Sequence, residues 1–395
     1  MKDEIRFWLF TARALGEAAL VRTGGAIWLE GKERHSGEPL SAFYYGALEA
    51  FDYVVHRLYA EYAVARIEED VPVSAGVRML EREAASDLVI GDLSWPYYHR
   101  LPRHRFLLVP RAIAHTLSLP ASWAEVEARY RVRKTTRDEL RKLDKYGLSY
   151  RTCRDRAAIE RFYHTMYVPY ATERHGDLSD LDSLESVVAA AQAGTLLEVL
   201  QGEHVVAAGV LHRVGKRMRF LWLGIVNGLE PGLKGAAGAA LYCFAIQFAI
   251  AERCTELNLM YSPADLSNGI HRYKRKLGAR VSGERRVGRI AVAVANLTPA
   301  TIGALSHMPL AVTDAGGKLK GHILVVQDDL SPEDVRKLGA YYACDGLEAL
   351  TIFSTRALSD EVLRTDYAAL DAELPRLELH DLTRSNRPAA DFCRT

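Results

Sequence analysis

The sequence predicts an α+β fold, and three observations carry that prediction. Three apolar, partly β-branched runs, "TLLEVL" (Thr195–Leu200), "HVVAAGVLH" (His204–His212) and "RMRFLWLGIV" (Arg217–Val226), are separated by "QGE" and "VGK", turn signals of hairpin length. Helical patterns come before this antiparallel meander, and one long apolar helix and a fourth strand come after it, so the order is not a repeated βαβ array. The tail then switches to alternating strand and helix, the pattern of a small α/β unit.

Along the chain, residues 1 to 115 combine a helical pattern, "AFYYGALEAFDYVVHRLYAEYAVARIEE" (Ala42–Glu69), with short strand-like runs such as "RFLLVP" (Arg105–Pro110). Ser122 is placed to cap a helix, with Glu125 as its capping-box partner. The basic helix that follows ends at Gly147, where a left-handed residue is wanted. A further helical pattern covers Asp155–Glu173, followed by the loop "HGDLSDLDS" (His175–Ser183) and a short helix, "LESVVAAAQAG". After the meander comes "NGLEPGLKGAAG", then a helix with Leu241, Phe244, Ala245 and Phe248 on one face, suited to packing on a sheet. The strand "ELNLMY", the loop "SPADLSNG" and a short basic helix complete this region. The tail segments "HILVVQ", "SPEDVRKLGAYYAC", "LEALTIFS", "SDEVLRTDYAALDAEL" and "RLELHDL" lack a phosphate-binding glycine motif, and regulation or dimerisation is their default role.

Composition narrows the class of protein. With 395 residues, 49% hydrophobic and 26% charged, the chain has the profile of a soluble globular protein of two or three domains. Five scattered cysteines, with no CxxC and no Cys/His cluster, predict no metal site and a reducing, cytoplasmic setting. The N-terminus "MKDEIRFWLFTARALGEAAL" carries Asp3, Glu4, Arg6 and Arg13 and lacks the apolar core of an export signal. "AAGAALYCFAIQFAIA" (Ala236–Ala251) falls short of the roughly 20 residues a membrane span needs and reads as a buried helix. The net charge of +1 hides an asymmetry: Arg131–Arg161 has 11 Lys/Arg against 5 Asp/Glu, His271–Arg289 has 8 against 1, and Gly321–Thr395 has 8 against 14. Separate modules with different partners are one reading of this, and solvated faces are the other.

Several residues are candidates for chemistry. The glycines of "PGLKGAAGAAL", Gly232, Gly235 and Gly238, together with Lys234, sit where a strand-to-helix turn can offer backbone N–H groups to a phosphate; close helix packing is the competing explanation. Gly224 interrupts its strand and marks a bulge or a close ligand approach, with a splayed strand edge free to bind an extended acyl donor. Asp265 lies just beyond the end of a strand and Lys274 on the helix that follows. A carboxylate can take the proton of an attacking amine and a lysine can stabilise the oxyanion, while a solvated basic face is the alternative for Lys274. His164, His175, His204, His212 and His271 have no metal-ligand spacing, and Cys243 and Cys254 read as packing residues.

The order of elements and three motifs together resemble the GNAT superfamily, and more closely its FemAB-like branch of FemXAB and BioF2-like acyltransferases. "KTTRDELRKLDKYGL" (Lys134–Leu148) is similar to the basic helix that opens that domain. "LLEVLQGEHVVAAGVLHRVGKRMRFLWLGI" resembles its central meander, and "YKRKLG" (Tyr273–Gly278) its aromatic-Lys-x-x-apolar-Gly signature. The resemblance covers about Ala124–Arg280. It implies a GNAT-type fold with a central mixed or antiparallel sheet flanked by helices, an acyltransferase domain over residues 116–280, and a first GNAT-like domain that residues 1–115 and 280–300 can make. Residues 310–395 remain as a small acidic α/β domain.

The implied function is an N-acyltransferase, a cytoplasmic enzyme that forms an amide on a small-molecule amine with no tightly bound cofactor and no membrane span. The donor is an acyl-CoA or similar thioester, or an aminoacyl-tRNA, which would make the protein an aminoacyltransferase. The place of the acetyl-CoA loop reads Gly232-Leu-Lys-Gly235-Ala-Ala237, without the basic first residue of acetyltransferase enzymes. The resemblance implies a role for Lys274 near the reacting carbonyl or leaving group, with Tyr273 beside it and Asp265 as a candidate base. Gly232, Lys234, Gly235, Gly238 and Gly224 would serve the donor, and Arg133, Arg137, Arg141, Tyr170 and Arg174 an anion or the acceptor. A non-catalytic member that binds RNA or protein through the same basic surface is the reading from another class.

Overall fold

The computed structural model describes residues 23–94, 97–175, 181–283, 288–314, 316–370 and 375–393. The N-terminal leader expectation and most of the 175–183 loop therefore lie outside the described residues. From the N-terminal side come β1 (Thr23–Glu33), β2 (Pro39–Gly46), α1 (Leu48–Leu58), β3 (Tyr59–Pro72), α2 (Val73–Arg82), β4 (Leu88–Leu93) and β5 (Leu107–Pro110). The Ala42–Glu69 stretch is thus helical only in its middle. Its Ala- and Glu-rich second half, a good helix former by propensity, pairs antiparallel with β1 as β3. Tertiary pairing overrides local preference there.

The middle of the chain runs β6 (Ile113–Ser118), α3 (Trp123–Val132), α4 (Lys134–Lys145), β7 (Leu148–Cys153), α5 (Arg156–Phe162), a π-helical turn (Tyr163–Tyr167), α6 (Val168–His175) and α7 (Leu184–Ala193). It continues with β8 (Thr195–Gln201), β9 (His204–Val214), β10 (Arg217–Ile225), α8 (Pro231–Ala251), β11 (Glu256–Ser262) and α9 (Gly269–Lys276). The single basic helix expected from Ser122 to Gly147 is two helices. Arg133 is extended between them, at φ −85° and ψ 122°, and the Thr136 hydroxyl donates to the Tyr130 carbonyl at 2.8 Å, taking up an acceptor at the end of α3. Ser122 is the N-cap residue, but its hydroxyl donates to the Glu125 carboxylate at 2.9 Å instead of accepting from the backbone. Gly147 is left-handed, at φ 58°, as its position required.

The last part holds β12 (Arg280–Gly283), β13 (Arg289–Val294), α10 (Pro299–Ser306), β14 (Leu310–Thr313), β15 (Leu319–Val325), α11 (Pro332–Tyr342), β16 (Leu347–Ser354) and β17 (Arg376–Asp381). β15, β16 and β17 are parallel, as the alternating tail predicts, and β14 is an antiparallel edge.

By contacts the chain forms two compact units. The first takes in residues up to Ala114, Tyr261–Arg272 and Arg280 onward; the second is His115–Met260 with Tyr273–Ala279. The first unit contains the sheet β3-β1-β2-β4-β13-β5 and the sheet β14-β15-β16-β17. β13 pairs with both β4 and β5, which accounts for residues 289–294 belonging with the N-terminal strands. Ile323, Leu350 and Phe353 of the tail share one buried cluster with Ile27, Leu40 and Tyr44. The boundary drawn from the sequence at residue 310 is accordingly not a boundary in packing.

In the second unit the strands run β6-β11-β10-β9-β8-β7. β8, β9 and β10 form the expected antiparallel meander, with Gly202 and Gly215 left-handed in its two turns. α8 contributes Ala237, Leu241, Phe244 and Ala245 to the core of this unit. By length and composition α8 could cross a membrane, yet 61% of its apolar window is buried inside the protein, as a core helix requires.

Candidate active site

The parallel pairing in the sheet of the second unit is short. β10 and β11 are parallel, but they pair only from Arg217↔Glu256 to Arg219↔Asn258. Two local distortions lie close to that pairing. Leu221 is bulged out of the register with β9, between Phe220 and Trp222, and Met260 in β11 adopts φ 60° with its N–H held by the Asn258 side chain at 2.7 Å. The bulge that the sequence placed at Gly224 falls instead at Leu221. Gly224 pairs regularly with Ala208, and a Cβ there would lie 2.5 Å from the backbone of Met166 and Tyr167. Its close approach is to the π-helical turn of the same chain, not to a ligand.

α9, with the signature lysine, has well-defined ends. The Asn268 side chain accepts from the N–H of Ile270 at 2.9 Å and starts the helix. Gly278 ends it in the left-handed region at φ 90°, with its N–H bonded to the Arg275 carbonyl and that of Ala279 to the Lys274 carbonyl. The glycine of "YKRKLG" is therefore a helix stop. Lys274 is buried, only 4% exposed, and loss of solvation pushes its ammonium down from 10.5 to about 7. A lysine titrating there can both carry a charge and exchange a proton near neutral pH.

Tyr273 turns into the core of the second unit. Its ring lies 5.0 Å from that of Tyr242, and its hydroxyl is buried without a hydrogen-bond partner. Burial, reinforced by Cys243 and Glu139, pushes its pKa well above the usual phenol value, so it stays protonated. The Lys276 ammonium pairs with Glu139 of α4 at 2.8 Å and lies 4.4 Å from the centre of the Tyr273 ring. Tyr130 of α3 donates to the Leu277 carbonyl at 2.9 Å. These contacts fix α9 against α3 and α4, and sequence reasoning missed them. The Thr/Glu pattern inside an otherwise basic α4 was the available signal. Cys243 is fully buried, its thiol pushed up to about 12 mainly by desolvation, and packs as expected.

The glycine-rich segment is a correction. Gly232, Gly235 and Gly238 are not in a loop but inside the first two turns of α8. The N-terminal amides of α8 are occupied by a residue of the chain itself: Glu230 accepts from the N–H of Gly232 and of Leu233, both at 2.9 Å, and from the Tyr146 hydroxyl at 2.7 Å. The Tyr146 hydrogen bond, then these backbone bonds, hold the Glu230 carboxyl below its ordinary value. A carboxylate thus fills the place proposed for a phosphate. Lys234 pairs with Glu173 at 2.7 Å. Gly235 faces open space, whereas a Cβ at Gly232 would meet the Tyr146 hydroxyl.

Asp265 belongs to the first unit. Its carboxylate accepts from the Ser267 N–H at 2.8 Å and hydroxyl at 2.6 Å and forms an ion pair with Arg57. Both carboxylate oxygens thus have partners within the chain itself. Of the cations expected to meet an anion, Arg133 is exposed between α3 and α4, Arg141 is exposed and 3.7 Å from Asp138, and Arg137 is half-buried with Nε unbonded. Tyr170 packs on the core of the second unit, and the side chain of Arg174 lies outside the described residues. Among the described residues no group of three or more His, Cys, Asp or Glu could hold a metal ion.

Residues 130–275 match the family model of the acetyltransferase (GNAT) domain, from the end of α3 to one residue past Lys274. Over that stretch the chain is similar to a GNAT acetyltransferase domain. None of the curated proteins compared matches it. Among solved structures it is similar to FemX, at 13% identity over 68% of this chain and 84% of that one, with a TM-score of 0.36. It is similar also to L-PGS from Bacillus licheniformis (12% identity, 70% and 83% covered, TM-score 0.32). A GCN5-related N-acetyltransferase from Sphaerobacter thermophilus (14% identity, 68% and 75% covered, TM-score 0.28) is a third.

Proposed function

We propose that the second unit is the transfer centre of an N-acyltransferase in which an amine attacks the carbonyl of an activated acyl donor. The observation that supports this reading best is Lys274, buried and lowered to about 7, on the helix at which the GNAT match ends. The attacking amine forms the C–N bond as the carbonyl oxygen gains charge, and the Lys274 ammonium stabilises that oxyanion. When the tetrahedral intermediate collapses, the bond to the leaving group breaks, Lys274 gives its proton to the departing sulfur or oxygen, and the proton lost by the amine restores the ammonium. Tyr273 and the Glu139–Lys276 pair position α9. The unpaired edge of β10 beyond Arg219 is available to the extended acyl donor. Lys274→Ala should lose turnover by about 100-fold or more, and full transfer activity in that variant would remove the lysine from the mechanism.

An acyl-CoA is one donor, and an aminoacyl-tRNA is a second reading favoured by a specific observation. Glu230 already occupies the α8 amides that a pyrophosphate would need, while Arg133 and Arg141 remain exposed on the α3–α4 face. Co-purifying absorbance at 260 nm that RNase removes, with binding that weakens steeply with salt, would identify tRNA. A CoA-sized adduct in native mass spectrometry would identify the thioester.

A further inference from the structure

Between β4 and β5 the first unit presents a turn that the transfer reading does not use, "YYHRLPRHRF" (Tyr97–Phe106). It opens as a 3₁₀ turn over Tyr97–Arg100. Backbone bonds close it: the Leu101 N–H donates to the Tyr98 carbonyl at 3.4 Å, and the Arg105 and Phe106 N–H groups to the Pro102 carbonyl at 3.0 and 3.2 Å. Tyr98, Leu101 and Phe106 are buried in the core of the unit and seat the turn, with Tyr97 packed against them. His99, Arg100 and His104 are exposed, and Tyr97 and Arg103 are half-buried. Aromatic and basic side chains therefore share a surface whose backbone is already fixed, so a ligand would not have to order it.

No acidic residue of the same stretch neutralises these cations: Asp and Glu are absent between Asp92 and Glu125. Arg105 and Arg111 are engaged elsewhere, the first by the carbonyls of Glu81 and Glu83 and the second by Asp92. Arg100 is not. Among the described residues its side chain has no hydrogen bond and no ion pair, and its guanidinium lies 5.6 Å from the centre of the Tyr97 ring. Arg103 gives one N–H to the Asp314 carbonyl at 3.3 Å, which leaves most of its donors, while the Asp314 carboxylate accepts from the Lys318 N–H. Loss of solvation, then the charges of Arg103 and of Arg289 from β13, push the His99 imidazolium below its ordinary value, so positive charge converges on the turn from two elements. Phosphodiesters would supply the missing anions, and a half-exposed aromatic ring beside a guanidinium is a platform for an unpaired base. Leu101 and Phe106 are buried, so the turn offers no large aliphatic side chain or Phe for insertion into a bilayer, which favours a nucleic acid over a lipid surface. We infer that this turn binds single-stranded nucleic acid, with phosphodiesters on Arg100 and Arg103 and a base on the Tyr97 ring. The site lies wholly within the first unit and goes beyond the transfer reading.

Fluorescence anisotropy of the full chain with a labelled oligouridylate of about 12 nucleotides tests this. Saturable binding with a Kd below about 100 μM is expected at about 50 mM salt. The Arg100→Gln/Arg103→Gln variant should bind at least about tenfold more weakly, with a salt slope shallower by about 1.4, two phosphates at about 0.7 each. Tyr97→Leu should bind about tenfold more weakly with its salt slope unchanged, whereas Tyr97→Phe, which keeps the ring, should bind like the parent. An abasic oligonucleotide of the same length should not distinguish Tyr97→Leu from the parent. Arg133→Gln/Arg141→Gln, on the second unit, should still bind the oligouridylate. The oligonucleotide carries no acyl group, so the outcome is separate from the fate of Lys274 and of the transfer reading. Four results would each overturn the inference: no saturable binding up to about 100 μM, parent-like affinity in Tyr97→Leu, binding lost in the Arg133/Arg141 variant but intact in the Arg100/Arg103 variant, or tighter binding to phosphatidylserine vesicles than to the oligonucleotide.

Discussion

Lys274→Met removes a buried amine while keeping much of its volume, and its effect can be worked from burial alone. Folding lowers the ammonium from 10.5 to about 7, which at about 1.4 kcal/mol per unit corresponds to about 5 kcal/mol between the two protonation states. The sign follows from proton counts. Above pH 10.5 the amine is neutral in both folded and unfolded chains and the deficit is absent. As the pH falls from 10.5 towards about 7, the unfolded chain binds a proton that the folded chain does not, and stability drops by up to about 1.4 kcal/mol per unit. Below about 7 the whole deficit is present. Lys274→Met should therefore be more stable than the parent at neutral pH, and the gap should narrow by about 3 kcal/mol on moving from pH 7 to about 9.5. Urea denaturation of both proteins at the two pH values measures it. A gap that stays constant between them would refute the assigned burial of the ammonium, and with it the basis for a proton-exchanging lysine.

Four further outcomes are expected. Single-turnover transfer should slow as pH rises through about 7 in the parent, whereas Lys274→Arg, which keeps the charge but does not lose its proton, should be slower throughout and lack that pH dependence. Gly235→Ala should stabilise α8 by about 1 kcal/mol, because the position is inside a helix and its Cβ would meet nothing; a raised donor KM in that otherwise stabilised protein would show that the donor passes there. Gly224→Ala should destabilise by about 1–3 kcal/mol, its Cβ colliding with the backbone of the π-helical turn, and thermal unfolding would detect it. Glu230→Gln removes the charge from the α8 N-terminus; CoA binding that tightens in this variant, followed by titration calorimetry, would show that Glu230 competes with pyrophosphate, and unchanged CoA binding would show that the donor does not seat there.

The parts of the fold legible in the sequence are those specified by local chemistry. The meander follows from apolar runs and two glycine turns, α8 from its continuous apolar stretch, and the parallel tail from alternating strand and helix patterns. The parts that were not legible depend on partners distant in sequence. β3 has helix-forming residues and became a strand because β1 was there to pair with it. The α3–α4 break depends on a side-chain hydroxyl reaching back to a carbonyl six residues earlier.

The candidate site divides in the same way. Sequence alone singled out Lys274, through the motif around it, because residue identity and order are enough to mark a signature. It could not assign Asp265, Lys276 or the α8 glycines, since whether a charged group is spent or available is decided by what folds beside it. Asp265 is taken by Arg57 and Ser267, Lys276 by Glu139, and the α8 amides by Glu230. Residue types and their local periodicities thus determined the class of fold and the lysine, while tertiary structure decided burial, and burial decides which of those groups can still exchange a proton or accept a charge.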